Sequence, residues 1–235
     1  MTKELFREDG YLKECSATVT NADERGVCVD QTVFYPMGGG QPGDIGVFTR
    51  AKGSKLQIVD TRKDSETGDH LHLVEDGANL PDVGEKVTLH IDWERRHRLM
   101  RMHSCMHMLC AVVPAPVTGG SIRDGSARLD FDLQDTLNKD EITDKLNELI
   151  QQDSPMTLQW ITDDDLDSQP DLVRTMSVQP PKGSGRVRLV NFSGIDLQPC
   201  GGTHVASSGE IGPVRVSKIA KKGKHNRRVI VEFAE

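Results

Sequence analysis

Two pairs of potential metal ligands, far apart in the chain, place the strongest constraint on its fold. His103 and His107 lie four residues apart, and Cys200 and His204 bracket two glycines. On a helix, the first pair falls on one face, one turn apart. A Gly-Gly turn can fold tightly enough to aim the second pair at a single point. The sequence therefore predicts a fold that brings these two distant segments together.

The combined set, one cysteine and three histidines, is typical of a four-coordinate metal site. Imidazole and thiolate ligands suit Zn²⁺ better than a hard cation such as Mg²⁺, so one zinc ion per chain is the predicted cofactor. Either pair alone is more often a packed helix face or a turn with a buried thiol. A metalloprotease needs glutamate directly after the first histidine, and Ser104 stands there. Cys110 could approach the metal, but we expect it in the core, as is common for free cysteines.

Length and charge limit the number of domains and the kinds of partner that the chain can have. The 235 residues suffice for one large domain or two modest ones. The net charge of −7 does not indicate nucleic-acid binding overall, yet residues 215–228 hold seven Lys and Arg and no acid. Such a run fits either a local anion-binding face or a solvated surface. The five cysteines fit no disulfide scaffold, and no apolar stretch reaches ~18 residues. A reducing cytoplasm without membrane association is the predicted setting.

Residues 1–91 form the first predicted domain, which is rich in β-structure. Short strands separated by Gly, Asp, Asn and Pro favour a small barrel or sandwich. The segment Gly38–Asp44 begins with three glycines, which permit a close approach by a ligand or another chain. A flexible hairpin loop is the alternative. The segment is not a phosphate-binding P-loop, because no Gly-Lys-Ser/Thr follows.

Residues 92–235 form the second predicted domain, an α+β mixture with helices packed on an antiparallel sheet. A helix is predicted over 92–113, with Asp92 as its N-cap and Pro114 as its stop. Asn138 caps a second predicted helix. Strands are predicted over 126–133, 156–161, 186–191, 212–220 and 227–233. Residues 117–122 are predicted to be a turn-rich link rather than a strand.

Five motifs follow one another along the chain: Thr32-Val33-Phe34-Tyr35-Pro36, Gly38-Gly39-Gly40-Gln41-Pro42-Gly43-Asp44, His103-x-x-x-His107, Arg128-Leu129-Asp130-Phe131, and Asp196-Leu197-Gln198-Pro199-Cys200-Gly201-Gly202-Thr203-His204. This succession resembles the AlaX family, the free-standing relatives of the editing domain of alanyl-tRNA synthetase. The resemblance implies an N-terminal β-barrel domain that carries the glycine-rich loop, as in medium-length members. It also implies a C-terminal, zinc-containing editing domain. The aminoacylation domain of the synthetase is absent, so we expect no charging of tRNA.

The resemblance further implies hydrolysis of mischarged tRNA(Ala) in trans, chiefly Ser-tRNA(Ala), with Gly-tRNA(Ala) as a further candidate. It assigns Gln41, together with Gly39 and Gly40, to the catalytic and substrate site, where the amide of Gln41 would meet the ester or the attacking water. Size cannot exclude alanine from a site that admits serine, so the serine hydroxyl must be recognised. Thr32 is the candidate for this recognition, and an ordinary strand threonine is the equally weighted alternative.

The basic run after the last motif supplies candidate phosphate contacts, which position a nucleic acid without specifying its sequence. These residues are Lys218, Lys221, Lys222, Lys224, Arg227 and Arg228. The predicted partner is mischarged tRNA(Ala), with no membrane and no obligate protein partner. No carboxylate stands next to the His103 pair in the sequence to act as a base. A function of a different class, a zinc-stabilised tRNA-binding module without catalysis, stays open.

Overall fold

The structure, a computed structural model, describes residues 2–174 and 186–234. The chain divides into two compact units, Met1–His97 and Arg98–Glu235. The boundary between them falls inside helix α1, Trp93–Val112. The domain division predicted after Ile91 stays a prediction. Among the described residues, no helix combines the length and the apolar character needed to span a membrane.

The first unit is built on a closed, six-stranded antiparallel barrel. The unit has eight strands: β1 Lys3–Glu4, β2 Glu14–Asp23, β3 Gly26–Val29, β4 Gln31–Thr32, β5 Gly46–Arg50, β6 Lys55–Lys63, β7 His70–Val74 and β8 Lys86–Ile91. Strands β1 and β4 form a short parallel pair outside the barrel. The barrel order is β2-β3-β7-β6-β5-β8. Buried residues alternate with more exposed ones along β8 and the first part of β6, as expected when one face of a strand lines a core. Closure leaves the barrel no unpaired edge.

The barrel core is mainly apolar, with the buried His72 ring packed against Phe34 and Phe48. Val27, Phe34, Phe48, Ile58 and Leu89 each have no exposed surface. The rings of Phe34 and Phe48 meet edge to face, with centroids 5.6 Å apart, which is a favoured arrangement for aromatic pairs. The predicted α+β class with a small barrel at the N-terminus is confirmed.

The glycine-rich segment forms a tight turn in the first unit. Gly38 and Gln41 exchange two backbone hydrogen bonds, with N–O distances of 3.1 and 2.9 Å. The two residues between them, Gly39 and Gly40, have φ values of 55° and 82°. Positive φ at both central positions is the signature of a type I′ turn, which glycine adopts without steric cost.

A buried ion pair fixes this segment against the start of helix α1. The Arg96 guanidinium, which has no exposed surface, donates to both carboxylate oxygens of Asp44 and to the carbonyl of Val33. Asp44 in turn accepts from the backbone N–H of Tyr35 at 2.6 Å. Because one removed partner would leave a buried charge unpaired, this network holds the loop in one position.

The second unit has two antiparallel sheets and two principal helices. Beyond α1, its elements are β9 Val117–Arg123, β10 Ser126–Asp132, α2 Lys139–Gln151, β11 Met156–Ile161, α3 Asp163–Asp167, β12 Val187–Phe192, β13 Asp196–Pro199, β14 Val214–Lys221 and β15 Asn226–Phe233. The larger sheet has the order β14-β15-β10-β9, and the smaller has the order β11-β12-β13. The Asn138 side chain accepts from the backbone N–H groups of Asp140 and Glu141, so the predicted N-cap of α2 is confirmed.

The prediction of a turn-rich link over residues 117–122 was wrong, because this segment is strand β9, paired with β10. Its two central glycines suggested a loop, yet Gly120 lies close to the neighbouring strand β10. A Cβ at that position would stand 2.9 Å from the Leu129 side chain. Glycine here marks a close approach within a sheet rather than a turn.

Helix α1 is buried on all sides in its second half. Met100, Met102, Cys105, Met108 and Leu109 have no exposed surface. A helix that is apolar all round lies inside a protein rather than on its surface. His103 and His107 are therefore presented from a buried helix, and they are only 7% and 3% exposed.

A candidate metal centre

The four predicted ligands meet at one point in the second unit. One ligand atom from each of His103, His107, Cys200 and His204 lies within 4.8 Å of all the others. The two histidines of α1 are one helical turn apart, as the spacing predicted. Cys200 directly follows strand β13, and His204 lies in the loop beyond it.

The distances fit a tetrahedral ion. Bonds of ~2.0–2.1 Å to nitrogen and ~2.3 Å to sulfur put nitrogen and sulfur ligands about 3.5 Å apart. Cys200 Sγ is 3.5 Å from His103 Nε2 and 3.3 Å from His204 Nε2. The donor set and these two distances therefore suit a bound metal ion.

A buried carboxylate holds the second α1 histidine. His107 Nδ1 lies 2.8 Å from Asp196 Oδ2, and the Asp196 side chain has no exposed surface. The Gln198 amide donates to the same oxygen at 2.8 Å, and the Arg174 guanidinium lies 3.5 Å from the other oxygen. A proton kept on Nδ1 leaves Nε2 of His107 as the metal-facing nitrogen.

Ser104 performs the same task for the fourth ligand. Its Oγ lies 3.2 Å from His204 Nδ1 and accepts the backbone N–H of Val205, also at 3.2 Å. Because the Ser104 hydroxyl oxygen faces Nδ1 of His204, the Nε2 atom of that ring points toward the thiol of Cys200. Ser104, which stands where a metalloprotease would have glutamate, thus orients the candidate ligand His204.

The Gly-Gly turn is held by an arginine from the neighbouring strand. Arg188 of β12 is only 5% exposed. Its Nε donates to the carbonyl of Cys200 at 2.9 Å, and its terminal nitrogen donates to the carbonyl of Gly202. The ligand turn is therefore fixed by β12 as well as by its own backbone.

The electrostatics of the cluster favour a thiolate. Burial opposes ionisation of Cys200, but the neighbouring His103 and His204 outweigh it and hold the thiol pKa well below its ordinary value. Burial also lowers the pKa of His204 well below its ordinary value. For His107, burial is overcome by the bonds to Asp196 and Cys200, which raise the pKa to about 9. Since an imidazole must lose this proton to bind a metal, binding releases protons.

Comparison with known proteins identifies the family. The family described as tRNA synthetases class II (A) matches residues 6–95, and the threonyl and alanyl tRNA synthetase second additional domain matches residues 187–230. Alanyl-tRNA editing protein AlaX-M of Saccharolobus solfataricus is 34% identical over 233 residues, which are 97% of this chain and 98% of that protein. AlaX-M of Methanosarcina barkeri is 35% identical over 241 residues, again 97% and 98% of the two chains.

This chain belongs to the AlaX family. It is also 32% identical over 232 residues to the alanine–tRNA ligase of Pyrobaculum neutrophilum, where the match covers 94% of this chain and 25% of the ligase. The resemblance that the sequence motifs indicated is confirmed.

In this AlaX protein, Thr32 is fully buried and its hydroxyl has defined partners. Thr32 Oγ1 accepts the backbone N–H of Phe34 at 3.0 Å and lies 2.9 Å from His72 Nε2. The other nitrogen of His72 lies 2.9 Å from the carbonyl of Val27, so it carries the ring proton. Burial lowers the pKa of His72 to about 3, which keeps the ring neutral. Thr32 therefore donates to His72 and keeps acceptor capacity only.

Gln41 closes the type I′ turn described above and has no exposed surface.

The lysines of the predicted phosphate-binding run lie on β14 and in the turn before β15. They are Lys218, Lys221, Lys222 and Lys224. All four are exposed.

The two arginines of that run have partners within the fold. Arg227 is 6% exposed and donates to the carbonyls of Gln134 and Asp135. Arg228 makes a two-point ion pair with Asp130, at 2.7 Å for each nitrogen–oxygen contact. The structure thus places the four lysines at the surface and uses the two arginines to hold the sheet.

Sequence reasoning missed the residues that support the ligands: Ser104, Arg174, Arg188, Asp196 and Gln198. The signal for Asp196 was present, since it alternates with Gln198 on β13 and with Cys200 directly after it, and alternate residues share a face. Metal-bound histidines almost always donate their second nitrogen to such a group. The carboxylate that bonds His107 is distant from the histidine in sequence and comes from β13.

Proposed function

We propose that this protein hydrolyses the ester of mischarged tRNA(Ala) in trans, in the cytoplasm and without an obligate protein partner. Its chief substrate would be Ser-tRNA(Ala), with Gly-tRNA(Ala) as a second candidate. The observation that carries the proposal is the buried Cys/His₃ cluster with its supporting residues, in a chain that belongs to a family of alanyl-tRNA editing proteins.

Zinc is the proposed metal. Three imidazoles and one thiolate at tetrahedral spacing are the ligands that zinc prefers. When bound, Zn²⁺ would hold these four residues together and, if one coordination position opened to the ester or to water, would supply a Lewis acid. The chain keeps the set ready by holding Nδ1 of His107 on Asp196 and Nδ1 of His204 on Ser104.

The proposed reaction is ester hydrolysis. The oxygen of water bonds to the carbonyl carbon of the aminoacyl group, and the bond from that carbon to the ribose oxygen breaks. The ribose oxygen takes a proton, which leaves free amino acid and uncharged tRNA. Asp196 is not a candidate base, because its carboxylate is turned to His107 and Gln198.

Gln41, with Gly39 and Gly40 before it, is proposed to serve the aminoacyl group, where its amide can donate to the carbonyl or accept from water. Its place in a rigid turn supports this role, since a fixed backbone holds a side chain precisely oriented at little entropic cost. Gln41→Ala is expected to slow deacylation more than it weakens tRNA binding. Equal loss of both would assign the residue to folding or docking.

Thr32 is proposed to recognise the serine hydroxyl. Because its proton is directed to His72 and one lone pair accepts the Phe34 N–H, the Thr32 hydroxyl keeps one lone pair, to which a serine hydroxyl could donate. Alanine offers no such donor. Sites built around one hydroxyl can reject the analogue that lacks it by up to ~10⁴–10⁵.

The exposed lysines Lys218, Lys221, Lys222 and Lys224 are proposed to contact tRNA phosphates. Arg227 and Arg228, which the sequence also suggested, would contribute indirectly by holding the strand that carries this face. Contacts of this type supply affinity and register rather than sequence recognition.

One experiment tests the proposal. The purified protein is incubated with Ser-tRNA(Ala) and with Ala-tRNA(Ala), and its zinc content is measured by elemental analysis. We expect release of serine, sparing of alanine and one zinc per chain. Cys200→Ala and His107→Ala should lose zinc and activity, whereas Cys110→Ala, a buried thiol outside the ligand set, should keep both. Binding of tRNA without deacylation would favour a non-catalytic, zinc-stabilised module instead.

A further inference from the structure

An exposed tryptophan stands out on the smaller sheet of the second unit. Trp160 lies on the edge strand β11 and is 38% exposed. The other large apolar side chains that are exposed, Leu12, Met37, Val59 and Val83, all belong to the first unit. Within residues 98–174 and 186–234, Trp160 is therefore the one such side chain. Aromatic residues at a surface are enriched where another molecule binds.

The strand register places Trp160 in one row with the metal ligand Cys200. Trp160 lies directly opposite Arg188 of β12. The backbone N–H of Cys200 donates to the carbonyl of Arg188 at 3.1 Å, one position beyond the pair Leu189–Pro199. Two inter-strand spacings of ~4.8 Å put the backbones of Trp160 and Cys200 about 10 Å apart.

The same register places both residues on one face of the sheet. Residues directly opposite in an antiparallel pair share a face, as do alternate residues of a strand. Phe192 and Asp196 are paired on the same face by this rule. The Phe192 ring lies 5.8 Å from that of His107, and Asp196 bonds the same histidine. The face that carries Trp160 is therefore the face that carries the metal ligands.

The tryptophan has a cationic neighbour. The guanidinium carbon of Arg186 lies 5.0 Å from the centre of the Trp160 ring. An indole beside a guanidinium is the combination on which proteins stack unpaired bases, because every base has a π-face and arginine adds a cation–π term. Helix α3, which begins three residues later, carries Asp163, Asp164 and Asp165. Stacking, rather than net positive charge, would thus supply the affinity at this position.

We propose that Trp160, supported by Arg186, is a stacking site for a base of the unpaired 3′ terminus of the aminoacyl-tRNA. This inference rests on the proposed function and adds a binding site to it. The ester to be cleaved is attached to that terminus, so a base belonging to it must lie near the metal ligands whenever the ester does. A separation of about 10 Å on a shared face meets this requirement.

Kinetics provide the first test. Loss of one stacked base costs about 5- to 100-fold in affinity, so Trp160→Ala should raise KM for Ser-tRNA(Ala) by that factor with little change in kcat or in zinc content. Trp160→Phe should restore KM to within a few-fold, whereas Trp160→Leu, which keeps the bulk without a π-face, should not. Gln159→Ala is the matched control, because Gln159 is an exposed neighbour on the opposite face. If the leucine variant matches wild type, or if all variants do, the inference is overturned while wild-type deacylation still supports the proposed function.

Fluorescence provides a test that does not depend on activity. The chain has two tryptophans, so Trp93→Phe leaves Trp160 as the only indole. We expect its emission to be quenched by a tRNA acceptor-stem hairpin with an unpaired 3′ end. The same hairpin without its unpaired nucleotides should quench far less. Equal quenching by both hairpins, or quenching by neither, would show that no base of the terminus stacks on Trp160.

Discussion

At the residue scale, the hydroxyl of Thr32 offers a direct test of specificity. Thr32→Val keeps the shape of the side chain and removes the group that bonds Phe34 and His72. We expect Ser-tRNA(Ala) deacylation to fall by about tenfold or more, while the slow rate on Ala-tRNA(Ala) stays or rises. The ratio of the two rates is the measurement. Thr61→Val is the matched control, since Thr61 is equally buried in the barrel but bonds the carbonyl of Asp44. An unchanged ratio in Thr32→Val would mean that the hydroxyl is read elsewhere.

Asp196 offers a second test at this scale. Asp196→Asn keeps an oxygen for His107 Nδ1 but removes the charge that strengthens this bond. Changes of this kind typically weaken metal binding by about 10- to 100-fold. Zinc affinity, measured by competition with a chromogenic chelator, should therefore fall without loss of the fold. Asp130→Asn, which alters a carboxylate paired with Arg228 instead, should leave zinc affinity unchanged. A wild-type affinity in Asp196→Asn would limit the carboxylate to a packing role.

At the element scale, the exposed lysines belong to the hairpin of β14 and β15. Replacing Lys221 and Lys222 by Ala should weaken tRNA binding and reduce the slope of log affinity against log salt by roughly one to two. The measurement is a titration of tRNA at several salt concentrations. Lys145→Ala serves as the control, because this exposed lysine of α2 already pairs with Glu141. An unaltered slope in the double variant would remove the hairpin from the tRNA footprint.

Several elements follow directly from local sequence chemistry. Asn138 at the start of α2 is a strong N-cap, and Ile142, Leu146 and Ile150 repeat at helical spacing on its buried face. Strand β9 did not follow, because its two glycines are disfavoured in strands by local propensity, although Gly120 packs closely on Leu129 of β10. Tertiary contacts that lie far apart in sequence overruled the local preference.

At the scale of the whole molecule, the clustering of the four candidate metal ligands could be predicted from the sequence, and the residues that support them could not. The four ligands carry rare, reactive side chains at short spacings, so the pattern within each segment is visible. The contact between His107 and Asp196 joins residues 89 positions apart, and it depends on the register of β13 beside β12. The pairing register of two strands is set by the geometry of their turns and by which face of the strand is buried. Neither property can be predicted from a short sequence motif.

Metal removal should affect the two units differently. The barrel has its own apolar core, which contains none of the ligands, whereas the second half of α1 and the turn after Cys200 are joined through them. At a thousand times Kd, bound metal stabilises the folded state by ~4 kcal/mol. Chelation should therefore speed amide hydrogen exchange in residues 103–112 and 200–205 and leave strands β2 and β8 protected. Mass spectrometry of exchanged peptides makes this comparison, with Cys200→Ala as a control that should not respond to the chelator. Faster exchange in the barrel strands as well would mean that the metal supports the folding of both units; no change in either would mean that the ligand cluster is stable without it.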